Sequence, residues 1–308
     1  MTLTELRYIV TLAQEQHFGR AADRCHVSQP TLSIAVKKLE EELNVSIFER
    51  SKTRVSPTPL GETIIQQAQK VLEQAAAIKD IASSGKNQLT NPFHIGAIFT
   101  IGPYLFPKLI PELQRMAPEM PLYVEESYTA TLRRRIRHGD LDAIVVALPF
   151  TEADVVTQPL YDEPFVVLMG KDHPLTQVDV IDPLSLNEYN VLLLGEGHCF
   201  RDQVLEACPN LKPSLDDPRG NIRTAAEGSS LETLKYMVAS GLGITILPQS
   251  ATMIGHYASE ELITRPFMEP VPRRTVALAW RASFPRLQAI DVIREAISSC
   301  KVGDSFKK

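Results

Sequence analysis

Residues 17–45 read HFGRAADRCHVSQPTLSIAVKKLEEELNV. GRAADRCHV suits a short helix that turns Ala21, Ala22 and Cys25 inward. Ser28 is a strong N-cap residue, and Pro30 falls in a first turn, where the N–H that proline lacks would have no partner anyway. The helix that follows runs through Ile34, Val36, Leu39 and Leu43. It stops at Asn44, a residue type that accepts the left-handed conformation of helix C-caps. Two helices joined tightly at His26–Ser28 form a helix-turn-helix.

Upstream, residues 4–13 carry Leu6, Ile9, Val10 and Ala13 on one stripe and read as a first helix. Downstream, FERSKTRVSPTP is extended and turn-rich, with Arg50, Lys52 and Arg54 on what reads as a wing. Residues 58–84 read as one long helix. Ile64, Ala68, Val71, Ala75, Ile78 and Ala82 recur at alternating spacings of 4 and 3, a heptad stripe. Small alanines between branched residues let a partner helix approach closely, so the stripe reads as a dimer seam. The alternative is packing against its own domain. SSGKNQLTNP then reads as a hinge.

From residue 93 the pattern changes. FHIGAIF, LYVEES, LDAIVVAL, VVLMG, NVLLLGE, ITILP and TVALAW are apolar runs of strand length. PYLFPKLIPELQRM, LRRRIRHG, LETLKYMVASG and RLQAIDVIREAI lie between them as helices. This alternation predicts an α/β region with mostly parallel sheets. Its length of about 210 residues predicts two subdomains.

The 308 residues carry a net charge of −5, which argues against a uniformly basic nucleic-acid binder. The sum conceals an asymmetry: residues 1–90 hold 11 basic and 10 acidic side chains, and the remainder holds 21 and 27. Any nucleic acid therefore binds the N-terminal end, through local clusters. No apolar run reaches the roughly 20 residues of a membrane span, and MTLTELRYIV lacks the form of a secretory signal. Four cysteines in so long a chain do not make a disulfide scaffold. A cytoplasmic protein with reduced thiols is the expectation. The histidines show no metal-ligand spacing, and no G-x-G-x-x-G, P-loop or G-x-S-x-G occurs, so no metal, cofactor or acyl-transfer chemistry is expected.

A recognition helix reads base edges with polar side chains on its first turns. Here Ser28, Gln29, Pro30, Thr31 and Ser33 form that turn, and Lys37 and Lys38 follow one turn later. Arg50 and Lys52 can track phosphates from the wing. An ordinary helix N-terminus with solvated charges is the other reading of the same residues.

Residues 17–61, through AA, SQPTLS, the KKLEEEL run, IFER and TPLG, resemble the N-terminal domain of LysR-type transcriptional regulators. Asn44 stands where that family usually has glycine. The resemblance implies a winged helix-turn-helix over residues 1–58 and a linker and dimerisation helix over 59–91. It also implies a two-subdomain regulatory domain over 92–308, similar to periplasmic binding proteins. Subdomain I would be about 92–160 and 268–300, with the last helix returning to it, and subdomain II about 161–267. Double-stranded DNA, a dimer through Ile64, Ala68, Val71, Ala75 and Ile78, and a tetramer are implied with it.

Residues 195–208, GEGHCFRDQVLEAC, hold two of the four cysteines. Cys199 falls at a strand-to-helix junction, where unpaired N–H groups and the positive end of the helix dipole favour an anionic sulfur. His198, Arg201 and Asp202 crowd it. Cys208 closes the short helix among apolar residues and is expected to be buried. On one continuous helix the two lie about 13.5 Å apart, while a disulfide needs Cα atoms within about 7 Å. Joining them therefore requires the segment to refold. Two unrelated small hydrophobes are the alternative. GHCFRD with its later cysteine, SSLETLKYMVASGLGITILP and RRTVALAW resemble the hydrogen-peroxide-sensing members of the LysR family. That resemblance implies Cys199 as the peroxidatic and Cys208 as the resolving cysteine. It implies a peroxide pocket with Thr100, Thr129, His198 and Asp202, and Arg201 and Arg274 are added to it. Arg273 and Arg274 are both open as the arginine meant, with the second preferred. Otherwise the regulator answers a small metabolite, or the chain is a cysteine peroxidase or Cys–His hydrolase. Cys25 and Cys300 read as structural.

Overall fold

The structure, a computed structural model, describes residues 1–50, 55–83, 88–211, 227–252 and 261–302. Helices α1 (Leu3–Glu15), α2 (Phe18–Arg24) and α3 (Gln29–Leu43) pack around Ile9, Leu12, Ala21, Ala22, Leu32 and Val36. Thr2 and Glu5 form a capping box on α1, and the Ser28 hydroxyl accepts the Thr31 N–H at 3.3 Å to start α3. Asn44 ends α3 in the left-handed conformation, as its residue type predicts. Antiparallel β1 (Phe48–Arg50) and β2 (Val55–Pro57) form the wing. Its tip, with Lys52 and Arg54, lies outside the described residues.

Thr58 opens α4 (Pro59–Ser83) by accepting the Gly61 N–H at 2.8 Å. Only glycine fits at 61: a Cβ there would lie 2.0 Å from the Ile47 carbonyl oxygen. The heptad stripe divides along this helix. Ala68 is buried in the N-terminal core and Ile64 packs against it, so this part serves its own domain. Val71 and Ile78 are exposed. Ala82 belongs to α4, but its side chain lies outside the description.

Beyond α4 come β3 (Phe93–Ile98), α5 (Gly102–Met116), β4 (Leu122–Ser127), α6 (Thr129–Arg137) and β5 (Ala143–Ala147). The long β6 (Val155–Gly170), β7 (Val191–Leu194), α7 (Cys199–Ala207) and the short β8 (Glu227–Gly228) follow. The chain finishes with α8 (Leu231–Ala239), β9 (Ile244–Pro248), β10 (Leu262–Pro266), β11 (Arg273–Arg281) and α9 (Leu287–Ser299). The strands run in the order β4-β3-β5-β11-β6-β9-β7-β8, with β10 also on β6. The sheet is mixed rather than mostly parallel. The β3–β4, β3–β5, β7–β8 and β7–β9 pairs are parallel, but β6 and β11 run antiparallel to all their partners. The apolar pattern marks only the end of β6. Its first part has the polar run TQPLYDE, which gives no strand-like alternation.

Two buried clusters lie along this sheet. One gathers β3, β5, α5 and β11, and includes α9 through Ala289, Ile290, Ile293 and Ile297. The other gathers the end of β6 with β7, α7, α8 and β9. Strand β6 crosses between them, pairing with β11 over its first two thirds and with β9 and β10 over its end. Among the described residues no helix is long and apolar enough to cross a membrane.

Candidate functional site

Parallel strands end where loops and helix N-termini gather, and three such ends meet here. Strand β3 delivers Thr100, β4 delivers Ser127 ahead of Thr129 at the start of α6, and β7 delivers the 195–199 turn. Gly197 takes a φ of +91° in that turn, a conformation open to glycine. His198 occupies the N-cap of α7 and Cys199 is its first residue. Ile98, Phe99, Thr100, Ser127, Tyr128, Thr129, Gly197, His198 and Cys199 line a small cavity of about 10 Å³.

The walls are aromatic and the polar atoms few. The His198 ring lies 4.8 Å from Tyr128 and 6.0 Å from Phe99. Burial holds its pKa below the ordinary value, partly offset by a hydrogen bond to the Ser229 backbone. Nε2 is buried with no partner, so Nδ1 makes that bond. With the proton on Nδ1, Nε2 is an acceptor. Thr129 Oγ1 is also buried and unpartnered. Two unsatisfied polar atoms beside a half-buried thiol mark a place made for a small polar molecule.

Arg274 stands behind the cavity. Its Nη1 donates to Thr100 Oγ1 and its Nη2 to the Thr100 carbonyl oxygen, each at 2.8 Å. Arg273 is exposed, because neighbours on a strand face opposite sides. Arg201 and Asp202 do not line the cavity. Arg201 turns back to donate to the Leu194 carbonyl oxygen at 2.7 Å. Asp202 is exposed: Phe200 and Val204, four apart, hold the inward face of α7, and Asp202 lies across the helix from both.

Cys208 is the C-cap of α7, 2% exposed, and burial pushes its thiol up to about 11. Both cysteines are free thiols. They sit at opposite ends of α7 and pack on different cores, Cys199 against the one around β3 and Cys208 within the one around β7. Sequence reasoning missed Gln203, whose side-chain amide donates to the Leu148 carbonyl oxygen at 3.1 Å and ties α7 to the β3 side. It also missed Glu163, fully buried on Arg274. Neither has a local sequence signal, since both partners lie far along the chain.

At the other end of the molecule, Gln29, Pro30, Thr31 and Lys37 are exposed on α3, and Ser33 is half-buried. Ser28 is engaged in capping. Lys37 lies 3.5 Å from Glu41 and Lys38 3.2 Å from Glu5. Arg50 ends β1, and its side chain lies outside the description, as does Lys52 altogether. Of the apolar residues along α3, Ile34 and Leu43 are exposed. Leu32, Val36 and Leu39 hold the inward face at four- and three-residue steps, so Ile34 falls opposite them and is 69% exposed.

The sequence of residues 3–62 matches the family described as bacterial regulatory helix-turn-helix protein, lysR family. Residues 86–299 match the LysR substrate binding domain. This chain belongs to the LysR family. Among relatives of the LysR-type chain is the DNA-binding transcriptional dual regulator OxyR of Escherichia coli (strain K12). It is 37% identical over 297 residues, 96% of this chain and 95% of that one. The hydrogen peroxide-inducible genes activator of Dickeya chrysanthemi is 37% identical over 299 residues, 96% of this chain and 95% of that one. A full-length OxyR from Pseudomonas aeruginosa, solved as a cysteine-to-aspartate mutant, is 62% identical, with a TM-score of 0.84 over 99% of this chain and 97% of that chain. A cysteine mutant of Corynebacterium glutamicum OxyR, solved with hydrogen peroxide bound, is 31% identical, with a TM-score of 0.60 over 97% and 94%.

Proposed function

We propose that this LysR-type chain is a hydrogen-peroxide-responsive transcription factor of the cytoplasm and not an enzyme. The lasting result of its chemistry is a change in its own shape. The observation that carries this is the cavity beside Cys199, with His198 Nε2 and Thr129 Oγ1 both buried and unpartnered. At about 10 Å³ it is near the roughly 10–15 Å³ that a single water needs, the scale of the smallest polar molecules. Metabolite-sized ligands ordinarily occupy about 300–1,000 Å³. A larger groove of about 520 Å³, bordered by Pro164, Val180, Phe267 and Met268, lies elsewhere and contains no cysteine.

The Cys199 thiolate attacks one peroxide oxygen, the O–O bond breaks, and the departing hydroxide takes a proton to become water. Cys199 is then a sulfenic acid. The Cys208 sulfur displaces its oxygen as a second water, forming the disulfide. Two thiols are oxidised and one peroxide is reduced. In an intact α7 the nine-residue separation is about 13.5 Å, so the second step requires the helix to open. Opening withdraws Cys199 from one core and Cys208 from the other. Phe200 and Gln203 link α7 to Arg274 and Leu148, so their contacts change with it. The exposed Val71 and Ile78 support the later part of α4, with Ala75 between them, as the seam to a second copy, while Ile64 and Ala68 pack on the helix's own domain. The exposed first turns of α3 and the wing meet double-stranded DNA. Three separate buried clusters support the division into residues 1–58, the 59–91 linker and a 92–308 regulatory region in two parts.

Stoichiometric titration of the reduced protein with hydrogen peroxide, followed by mass spectrometry, tests this. The Cys199 and Cys208 thiols disappear together near one equivalent, and Cys199→Ser abolishes the change in the DNA footprint while keeping DNA affinity. Independent loss of the two thiols, or a Cys199→Ser protein that still responds to peroxide, refutes it.

A further inference from the structure

Glu163 and Arg274 are direct cross-strand partners in the β6–β11 ladder. Both side chains are fully buried, and their ion pair is 2.7 Å long. Glu163 Oε2 accepts from Arg274 Nε at 2.8 Å, and Oε1 accepts the Ser250 N–H at 2.8 Å. Each carboxylate oxygen is therefore committed to a different donor, one on β11 and one just past β9. The guanidinium is held edge-on by Glu163, lies 5.3 Å from the Phe200 ring next to Cys199, and presents its remaining edge to Thr100.

The direction of the hydrogen bonds matters here. A guanidinium only donates. Thr100 Oγ1 therefore accepts from Arg274 Nη1, and the hydroxyl proton must point elsewhere. The Thr100 carbonyl oxygen is already taken by Nη2. Thr100 borders the cavity, so that space is open to its proton. A hydroxyl has one proton and two lone pairs, and here Arg274 occupies one of the lone pairs, which biases the group toward donating. His198, which lines the same cavity, offers Nε2 as an unpartnered acceptor.

We propose that Glu163 is a positioning residue for the oxidation of Cys199: by locking Arg274 it biases the Thr100 hydroxyl toward donating a hydrogen bond to the bound peroxide. The proposal rests on the peroxide-sensing reading above. As sulfur bonds to one oxygen, the other leaves with the electron pair of the broken O–O bond. A preset donor aimed at developing negative charge lowers the barrier without reorganising during the reaction. Glutamine cannot replace Glu163 here. Its amide nitrogen would face either the guanidinium or the Ser250 N–H, donor against donor, and the fork would be released.

The test compares two reactions of the same sulfur in the full-length reduced protein: oxidation by hydrogen peroxide and alkylation by iodoacetamide, which needs no donor on a leaving oxygen. Glu163→Gln is expected to slow oxidation between about 10- and 100-fold and to leave alkylation within about twofold. In a Thr100→Val background it adds little further slowing, since the group it positions is gone. Equal loss of both reactions, or no loss of either, overturns the proposal. Should Glu163→Gln fail to fold by circular dichroism, Arg274→Lys decides. It keeps the charge pair but cannot fork onto Thr100, and a wild-type oxidation rate in that variant overturns the proposal too. Wild-type protein whose Cys199 resists peroxide would instead remove the sensing function itself.

Discussion

Val204→Ala separates the two chemical steps. Val204 is 2% exposed, one turn before Cys208, and its carbonyl oxygen accepts the Cys208 N–H at 2.9 Å. Together with Phe200 it anchors α7 on the core around β7. Removing two buried carbons costs about 1.6 kcal/mol at roughly 0.8 kcal/mol each. Alanine returns about 0.5 kcal/mol through its better helix propensity. The closed helix is thus weakened by about 1.1 kcal/mol relative to an opened one that no longer buries residue 204. At 1.4 kcal/mol per factor of ten, the open population rises about sixfold. Opening also frees Cys208: burial pushes its thiol up to about 11, so the closed helix keeps it protonated and unreactive. Disulfide closure in Val204→Ala should accordingly run about sixfold faster than in the wild type. Sulfenic acid formation, which needs only the intact cavity, should be unchanged. Rapid quenching with a sulfenate trap followed by mass spectrometry resolves the two species. Closure as slow as in the wild type would mean that helix opening does not gate the second step.

Burial holds the folded-state pKa of His198 below its ordinary value of 6.5. The stability it contributes is therefore present above about pH 6.5 and is lost as pH falls below that; an NMR titration should place its midpoint below 6.5. Any loss of Cys199 oxidation from imidazole protonation should have its midpoint below pH 6.5, and an inflection at or above 6.5 assigned to His198 would contradict its burial. On the DNA side, Lys52→Ala should weaken binding to all sequences alike and reduce the slope of log K against log salt by about 0.9; an unchanged slope would remove the wing from the interface. Ile34, 69% exposed on α3, is placed to meet a thymine methyl in the major groove. Ile34→Ala should lose affinity for a thymine-containing site but not for the same site carrying deoxyuridine, and equal losses on both would show that the side chain touches no methyl group.

The helix-turn-helix is legible in the amino-acid sequence because its signals are local. Ser28, Pro30 and Asn44 act through their own backbones, and the apolar spacing of α1 and α4 lies within single helices. Cys199 at a strand-to-helix junction is legible for the same reason, as is the α/β alternation. The direction in which a residue faces is less secure. Ile34 lies two residues from both Leu32 and Val36 and so falls on the opposite face of α3, while α1 and α2 pack on the Leu32 face. The heptad stripe likewise divides only where α4 meets its own domain.

Residue types and their spacing along the chain establish which side chains are reactive and which segments are helical or extended. Which side chains converge depends on tertiary packing. Arg274 meets Thr100 across 174 residues and Glu163 across 111, contacts set by the register of β6 on β11. A slip of one residue would turn Arg273 inward and Arg274 out to solvent, because side chains alternate along a strand. Period and residue type are carried by neighbours in the chain. A cavity is built from the ends of strands remote in sequence, and its polarity exists only when all of them have packed.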